Sequence, residues 1–259
     1  METKCFAIQR SHKENLFLTP YEDAKLASQW EAANPITWYA STSLTSQEQD
    51  RALYALYTQI DRGVDCWVMD RRYVPRLLIS AFVFLIVYFF FSLAVRDPVP
   101  VIDELILGLG AAAATATFIA KRDKKSDLAV RRRLELKQNA LHSSFTTLPL
   151  LSRLEAYLDE MAALDTLDIA DQLTMTKKGE LKGLKLNNDD KEVVKEIREL
   201  LLRHVELSNS RLFEWYRKIE RANLKGIGDE ALSARLVKVS FKREIDMSLL
   251  ALMVALAKY

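Results

Sequence analysis

LLISAFVFLIVYFFFSLAV, residues 77–95, is a run of 19 residues without a charge. As an α-helix it extends about 28 Å, close to the roughly 30 Å hydrocarbon core of a bilayer. It predicts a transmembrane helix. A buried helix of this length in a soluble protein carries polar residues along some face, and a cleaved signal peptide stands at the N-terminus rather than after 76 residues.

Beyond RDPVP at 96–100, the run VIDELILGLGAAAATATFIA at 101–120 is long enough to return across the bilayer. Its Asp103 and Glu104 fall in the first turn after Pro100. There carboxylates meet the headgroups and favour the positive end of the helix dipole. Two spans so closely connected are antiparallel neighbours. Arg71, Arg72 and Arg76 precede the first span, while Lys121, Arg122, Lys124, Lys125, Arg131, Arg132 and Arg133 follow the second; the connection holds Arg96 alone. Because Lys and Arg stay cytoplasmic, both termini are expected inside the inner (plasma) membrane, with only the loop outside. Trp67 and Tyr73 suit the inner interface.

Composition agrees with a helical chain. Seven glycines and 6 prolines in 259 residues leave too little punctuation for most all-β architectures. With 49% hydrophobic residues, 28% charged and a net charge of +2, neither disorder nor a wholesale polyanion binder is indicated. Cys5 and Cys66 match no disulfide framework and no zinc spacing, and read as plain thiols in a reducing compartment.

Outside the spans the apolar spacing is helical nearly throughout. Thr19-Pro20 with Glu22 and Asp23 is a helix start, with Trp30 as its anchor and Asn34-Pro35 as its stop. The capping box TSQE at 45–48 opens a helix through Leu53, Leu56, Tyr57 and Ile60 to Gly63. Residues 1–18 are an extended arm or a strand, KCFAI and LFL being too short to decide. Val130, Leu134, Leu141 and Phe145 predict that the second span continues as a cytosolic stalk. Pro149 starts a helix with Leu150, Leu151, Leu154, Tyr157, Leu158, Met161 and Leu164 on one stripe. Residues 173–188 read as a loop or β-hairpin. Asn188-Asp189-Asp190 caps a helix to about Lys225, and Asp229 caps the last one. The apolar end of that last helix, 247–257, is too short to span and is either domain core or a subunit contact. The expected fold is therefore an all-α membrane protein: a small N-terminal cytosolic helical module (1–73), a two-span transmembrane helical hairpin (74–120, spans 77–95 and 101–120) and a larger C-terminal helical cytosolic domain (121–259).

The inventory of chemistry is thin. His12, His142 and His204 lie in separate segments, and there is no HExxH, GxSxG, Walker A or GxGxxG pattern. No catalytic residue, metal or cofactor is expected. Asp165, Asp168 and Asp171 align on one helix face, as a cation site or a solvated row.

The second span carries a wall of small side chains: Gly108, Gly110, the alanines 111–114, Thr115, Ala116 and Thr117. In lipid, helices associate by close packing, which small residues permit. Either the wall packs on the first span within one hairpin, or copies of it meet around an axis. In the second case Thr115 and Thr117 line a pore with Asp103 and Glu104 around its outer mouth, as acidic rings do in cation channels. Gly108, Ala112 and Thr115 are the expected contact positions, and Phe84 is read as lipid-facing. In the cytosol, Lys177, Lys178, Lys182 and Lys185, with Arg211, Arg217, Lys218, Arg221 and Lys225 near Trp215 and Tyr216, are a candidate surface for a nucleotide or single-stranded nucleic acid. The alternative is a solvated face in which Glu214 and Glu220 alternate with the bases.

This order of parts resembles the two-transmembrane effectors of bacterial nucleotide-signalling (anti-phage) defence systems, the SLATT-like group among them. The resemblance covers the layout of the whole chain and transfers no site residues. It implies a homo-oligomeric inner-membrane effector or ion channel, opened by a ligand bound to the cytosolic helices. The alternative class is a membrane-anchored adaptor that recruits a cytosolic protein partner by helix-in-groove contacts.

Overall fold

A computed structural model describes residues 2–11, 13–22, 30, 34–94, 102–175, 184, 190–225 and 228–257. Its N-terminal part is extended rather than helical: β1 (Thr3–Ile8), β2 (Leu16–Leu18) and β3 (Ile36–Ala40), with a single 3-10 turn at Pro20–Glu22. These strands join β4 (Ser144–Thr147) in a sheet of order β2-β1-β3-β4. β1 runs antiparallel to β2, with Phe6 opposite Leu18, and parallel to β3, with Cys5 opposite Trp38. β3 runs parallel to β4, with Trp38 opposite Phe145.

The sheet corrects the all-α expectation. From Cys5 to Ile8 β1 is buried on both faces, so it reads as a short apolar run without alternation, which periodicity cannot assign. The partner that completes the sheet comes from beyond both long apolar helices. Phe145, expected on a stalk, lies in that partner strand.

The helices are α1 (Ser46–Arg71), α2 (Tyr73–Ala94), α3 (Ile102–Lys124), α4 (Asp127–Leu141), α5 (Pro149–Ala163), α6 (Thr166–Thr174), α7 (Lys191–Ser208), α8 (Ser210–Lys225), α9 (Glu230–Arg243) and α10 (Met247–Leu256). The capping box forms: Glu48 Oε2 accepts from the Thr45 backbone N–H at 2.9 Å, and Thr45 Oγ1 accepts from the Glu48 N–H at 3.4 Å. The helix it starts runs on through Gly63. Two expected single helices are pairs. Asn209 leaves helical backbone at φ −143° and caps α8 by accepting from Leu212 N–H at 3.1 Å. Glu244, at φ 50°, ends α9 before Asp246 caps α10. The stalk is also interrupted: Ser126 Oγ donates to the Asp123 carbonyl at 2.7 Å in a turn between α3 and α4. On α4, Ala129 and Leu136 are buried while Val130 and Leu134 are exposed. Of the helix expected to start at Thr19-Pro20 and stop at Asn34-Pro35, residues 20–22 form the 3-10 turn, and 23–33 lie outside the described residues apart from Trp30, which is buried. The loop or hairpin expected over 173–188 is corrected at its start, where α6 runs to Thr174, and from 176 on it lies outside the described residues apart from the buried Leu184.

Two compact units result, Met1–Glu22 with Ala33–Tyr57 and Asn139–Tyr259, and Asp23–Ala32 with Thr58–Gln138. The N-terminal strands share one core with the C-terminal helices, so this grouping does not follow the chain boundaries at 73 and 120. In the first unit Phe6, Ile8, Leu16 and Leu18 of the sheet belong to the same cluster as Leu151 and Leu154 of α5, Ile197 and Leu201 of α7 and Ile219 of α8. α10 is buried along its whole length and contacts α5, α6, α7 and α8. A helix apolar on all sides needs neighbours on all sides; each buried Leu or Met contributes about 1.5–3 kcal/mol. Of the two expectations for residues 247–257, domain core is the one realised. The second unit is built on the packing of α2 against α3.

Candidate functional site

The α2–α3 pair is antiparallel: Arg72 meets Asp123 at one end, and Phe84 meets Gly108 further along. Along α2 the half-buried or buried positions Ser80, Phe84, Val87 and Tyr88 follow three-to-four spacing. Facing them on α3 are Gly108, Ala111, Ala112, Thr115 and Ala116. The contact at Gly108 is tight, since a Cβ there would lie 2.9 Å from Phe84 Cδ2. Phe84 is therefore a packing partner of the small wall, which corrects its reading as lipid-facing. The wall itself splits in two. Gly108, Ala112 and Thr115 turn toward α2, whereas Gly110, Ala113, Ala114 and Thr117 turn away, with open space around Gly110. Thr117 Oγ1 donates to the Ala114 carbonyl at 2.8 Å. Asp103 is exposed and Glu104 half-buried at the start of α3.

Among the described residues two helical stretches are long and apolar enough to cross a membrane, Tyr73–Leu93 within α2 and Ile102–Leu141, which opens with α3, and only 6% of the apolar window of each is buried by protein. Leu93 is 79% exposed and Phe118 68%. Aromatic and basic side chains gather where α1 gives way to α2: the Arg71 guanidinium lies 5.4 Å from the Trp67 ring centre and that of Arg76 5.9 Å from Tyr73.

The bases in the last turn of α3 and beyond it divide into two groups. Lys124 pairs with Asp65 at 3.2 Å and Lys137 with Asp61 at 2.8 Å. Arg133 bonds to Asp65 and lies 3.7 Å from Asp61, and Arg132 donates to the Trp30 carbonyl and approaches Glu135. At the α1–α2 break, Arg72 Nη1 donates to Asp123 Oδ1 at 2.7 Å, and the other oxygen of this nearly buried carboxylate has no hydrogen-bond partner among the described residues. Lys121, Arg122 and Lys125 pair with no carboxylate among the described residues. With Arg72 they line an open groove of 780 Å³ whose walls also include Phe118, Leu128 and one acid, Asp127. Sequence reasoning took these bases as topology determinants and had no signal for which of them the fold would neutralise.

In the first unit Arg211, Arg217, Lys218 and Arg221 are exposed on α8 with Glu214 among them. Trp215 and Tyr216, expected as stacking platforms, are in the core instead. Lys218 Nζ lies 4.8 Å from the Trp215 ring centre, and Arg217 lies over Phe213 at the same distance. Tyr216 donates to Glu220 at 2.9 Å, and burial pushes its phenol above the ordinary value. Lys177, Lys178, Lys182 and Lys185 lie outside the described residues, as does His12. His204 Nδ1 lies 2.8 Å from Glu22 Oε1, and His142 is exposed. Of the aspartate row, Asp171 accepts from Ser233 Oγ at 2.6 Å. No group of three metal-binding side chains occurs among the described residues.

No protein-family model, curated protein or solved structure matches the chain.

Proposed function

We propose that the chain is a two-span membrane protein, with both termini on the cytoplasmic side of the inner membrane and α2 and α3 as a self-packed anchor for the α/β unit. The observation that carries the reading is the pairing of β3 with β4. The strand before α2 and the strand after α3 are hydrogen-bonded neighbours, and a sheet with open edges is not shared across a bilayer, where unpaired backbone groups have no partners. That supports an even number of crossings. The exposed apolar flanks of α2 and α3 support lipid as their surroundings, and the bases at 121–133 support the direction. On this reading the sheet-and-helix unit recruits a cytosolic partner at the membrane surface.

A second reading is a homo-oligomeric effector or channel of the SLATT-like kind. The observation that favours it is the small face of Gly110, Ala113, Ala114 and Thr117, which stays open after the hairpin has closed. Small faces of this type let helices of neighbouring subunits approach. Here Asp103 and Glu104 stand near the outer mouth, and Arg211, Arg217, Lys218 and Arg221 remain the surface for an anionic nucleotide or single strand. The experiment compares the full chain with a version carrying an unrelated two-span hairpin, by cross-linking and by conductance in planar bilayers. The effector reading requires a symmetric oligomer and conductance from the native hairpin alone. The anchor reading requires that neither hairpin conducts and that partner recruitment survives the exchange.

A further inference from the structure

We propose that the groove at the foot of the hairpin binds a phosphate group, borne by an acidic phospholipid or by a free phosphate anion. The inference rests on the two-span reading, which sets this level of α3 at the headgroups. Its basis is selective neutralisation. Lys124, Arg133 and Lys137, on the same stretch, are matched by Asp61 and Asp65, whereas Lys121, Arg122 and Lys125 have no carboxylate partner among the described residues and converge with Arg72 on one concavity. Cations gathered in this way repel one another until an anion enters. Asp127 offsets one charge and leaves the wall net positive.

Arg72 is held in place. Asp123, whose side chain is 5% exposed, accepts from one Nη at 2.7 Å, so Arg72, in the lining of the groove, keeps further guanidinium donors and has little side-chain freedom left to lose. Arg and Lys are the residues that take phosphate through charge-assisted hydrogen bonds. The apolar part of the wall fits a lipid. Phe118, 68% exposed, stands one turn before Lys121, so a chain lying along α3 passes Phe118 as its phosphate reaches the bases.

The test uses the full chain purified in a zwitterionic detergent and scored for bound ligand by native mass spectrometry. The probes are phosphatidic acid, phosphatidylcholine and inorganic pyrophosphate. One variant combines Lys121→Gln, Arg122→Gln and Lys125→Gln; a charge-matched control combines Arg235→Gln, Lys238→Gln and Lys242→Gln, exposed on α9. The native chain and the α9 control are expected to retain phosphatidic acid in preference to phosphatidylcholine. The groove variant is expected to bind it roughly a hundredfold more weakly, from three lost cations. Displacement of the lipid by pyrophosphate, or groove-dependent binding of pyrophosphate alone, assigns the site to the free anion; no displacement assigns it to the lipid. Equal retention by the native chain and the groove variant, loss in the α9 control instead, or no binding of either phosphate probe overturns the proposal. Resistance of the native chain to carbonate extraction from membranes is scored separately, and its loss counts against the spans rather than the groove.

Discussion

At Gly108 the hairpin has no room for a side chain, because a Cβ would press on the Phe84 ring at 2.9 and 3.0 Å. Gly108→Leu overpacks the contact and is expected to cost about 1–3 kcal/mol. If the contact lies within one hairpin, Phe84→Ala makes room in the same molecule and recovers much of that loss. A double-mutant cycle on thermal stability in detergent measures the recovery. Additive losses would show that Gly108 touches something other than Phe84. Gly110 is the complementary probe, since nothing lies within 4 Å of its added Cβ. Gly110→Leu leaves hairpin stability unchanged on either reading, but abolishes cross-linked oligomers only if subunits meet there. A second asymmetry sits at the hairpin foot. Asp123 is 5% exposed and its partner Arg72 44%. Arg72→Ala strands a buried carboxylate, at about 3–5 kcal/mol. Asp123→Ala leaves a guanidinium that reaches water, and the loss is expected near 1 kcal/mol. Equal losses in chemical denaturation would contradict this account of the pair.

Among the elements, α10 is the one on which the first unit closes, and Asp246 starts it. Its carboxylate accepts from the Leu249 N–H at 3.2 Å and pairs with Arg10 at 2.7 Å and Lys13 at 2.9 Å. Burial alone would raise its pKa, but the bonds from Lys13 and Arg10 outweigh that and hold it below the ordinary value. A carboxyl lowered by folding stabilises the protein above its unfolded pKa, about 3.9. That contribution disappears as pH falls through the lower folded value. Asp246→Asn is therefore expected to lower the melting temperature at pH 7 and to narrow its gap from the native chain below about pH 4. A gap that stays constant from pH 7 to 3 would contradict the ion pair's role.

What the sequence disclosed at this scale follows from how local each signal is. The capping box at Thr45, the Pro149 helix and both long apolar helices are written within one segment, and the structure has them. Asn209 and Glu244 break helices whose apolar period continues across the break, so periodicity reads straight through. The strands Thr3–Ile8 and Ser144–Thr147 lie in one sheet through a partner between them, Ile36–Ala40, and no local pattern encodes that meeting. The groove was hidden for a related reason: Lys121 and Lys124 look alike in sequence, and only the approach of Asp65 separates them.

For the whole molecule, the parallel pairing of β3 with β4 makes the α2–α3 hairpin an excursion between neighbouring strands. On the proposed two-span reading, such an excursion brings the chain back to the side of the membrane it left. The native thiols differ as reporters of that side: Cys66 is exposed, while Cys5 is fully buried and burial pushes its thiol well up. Cys66 alone is thus available for labelling in the folded protein. The measurement is labelling of intact and permeabilised cells with a membrane-impermeant maleimide, comparing native Cys66 with Val99→Cys in a Cys66→Ser background. The account predicts that the cysteine at 99 reacts in intact cells and Cys66 only after permeabilisation. Reaction of Cys66 from outside, or protection of both until permeabilisation, would contradict it.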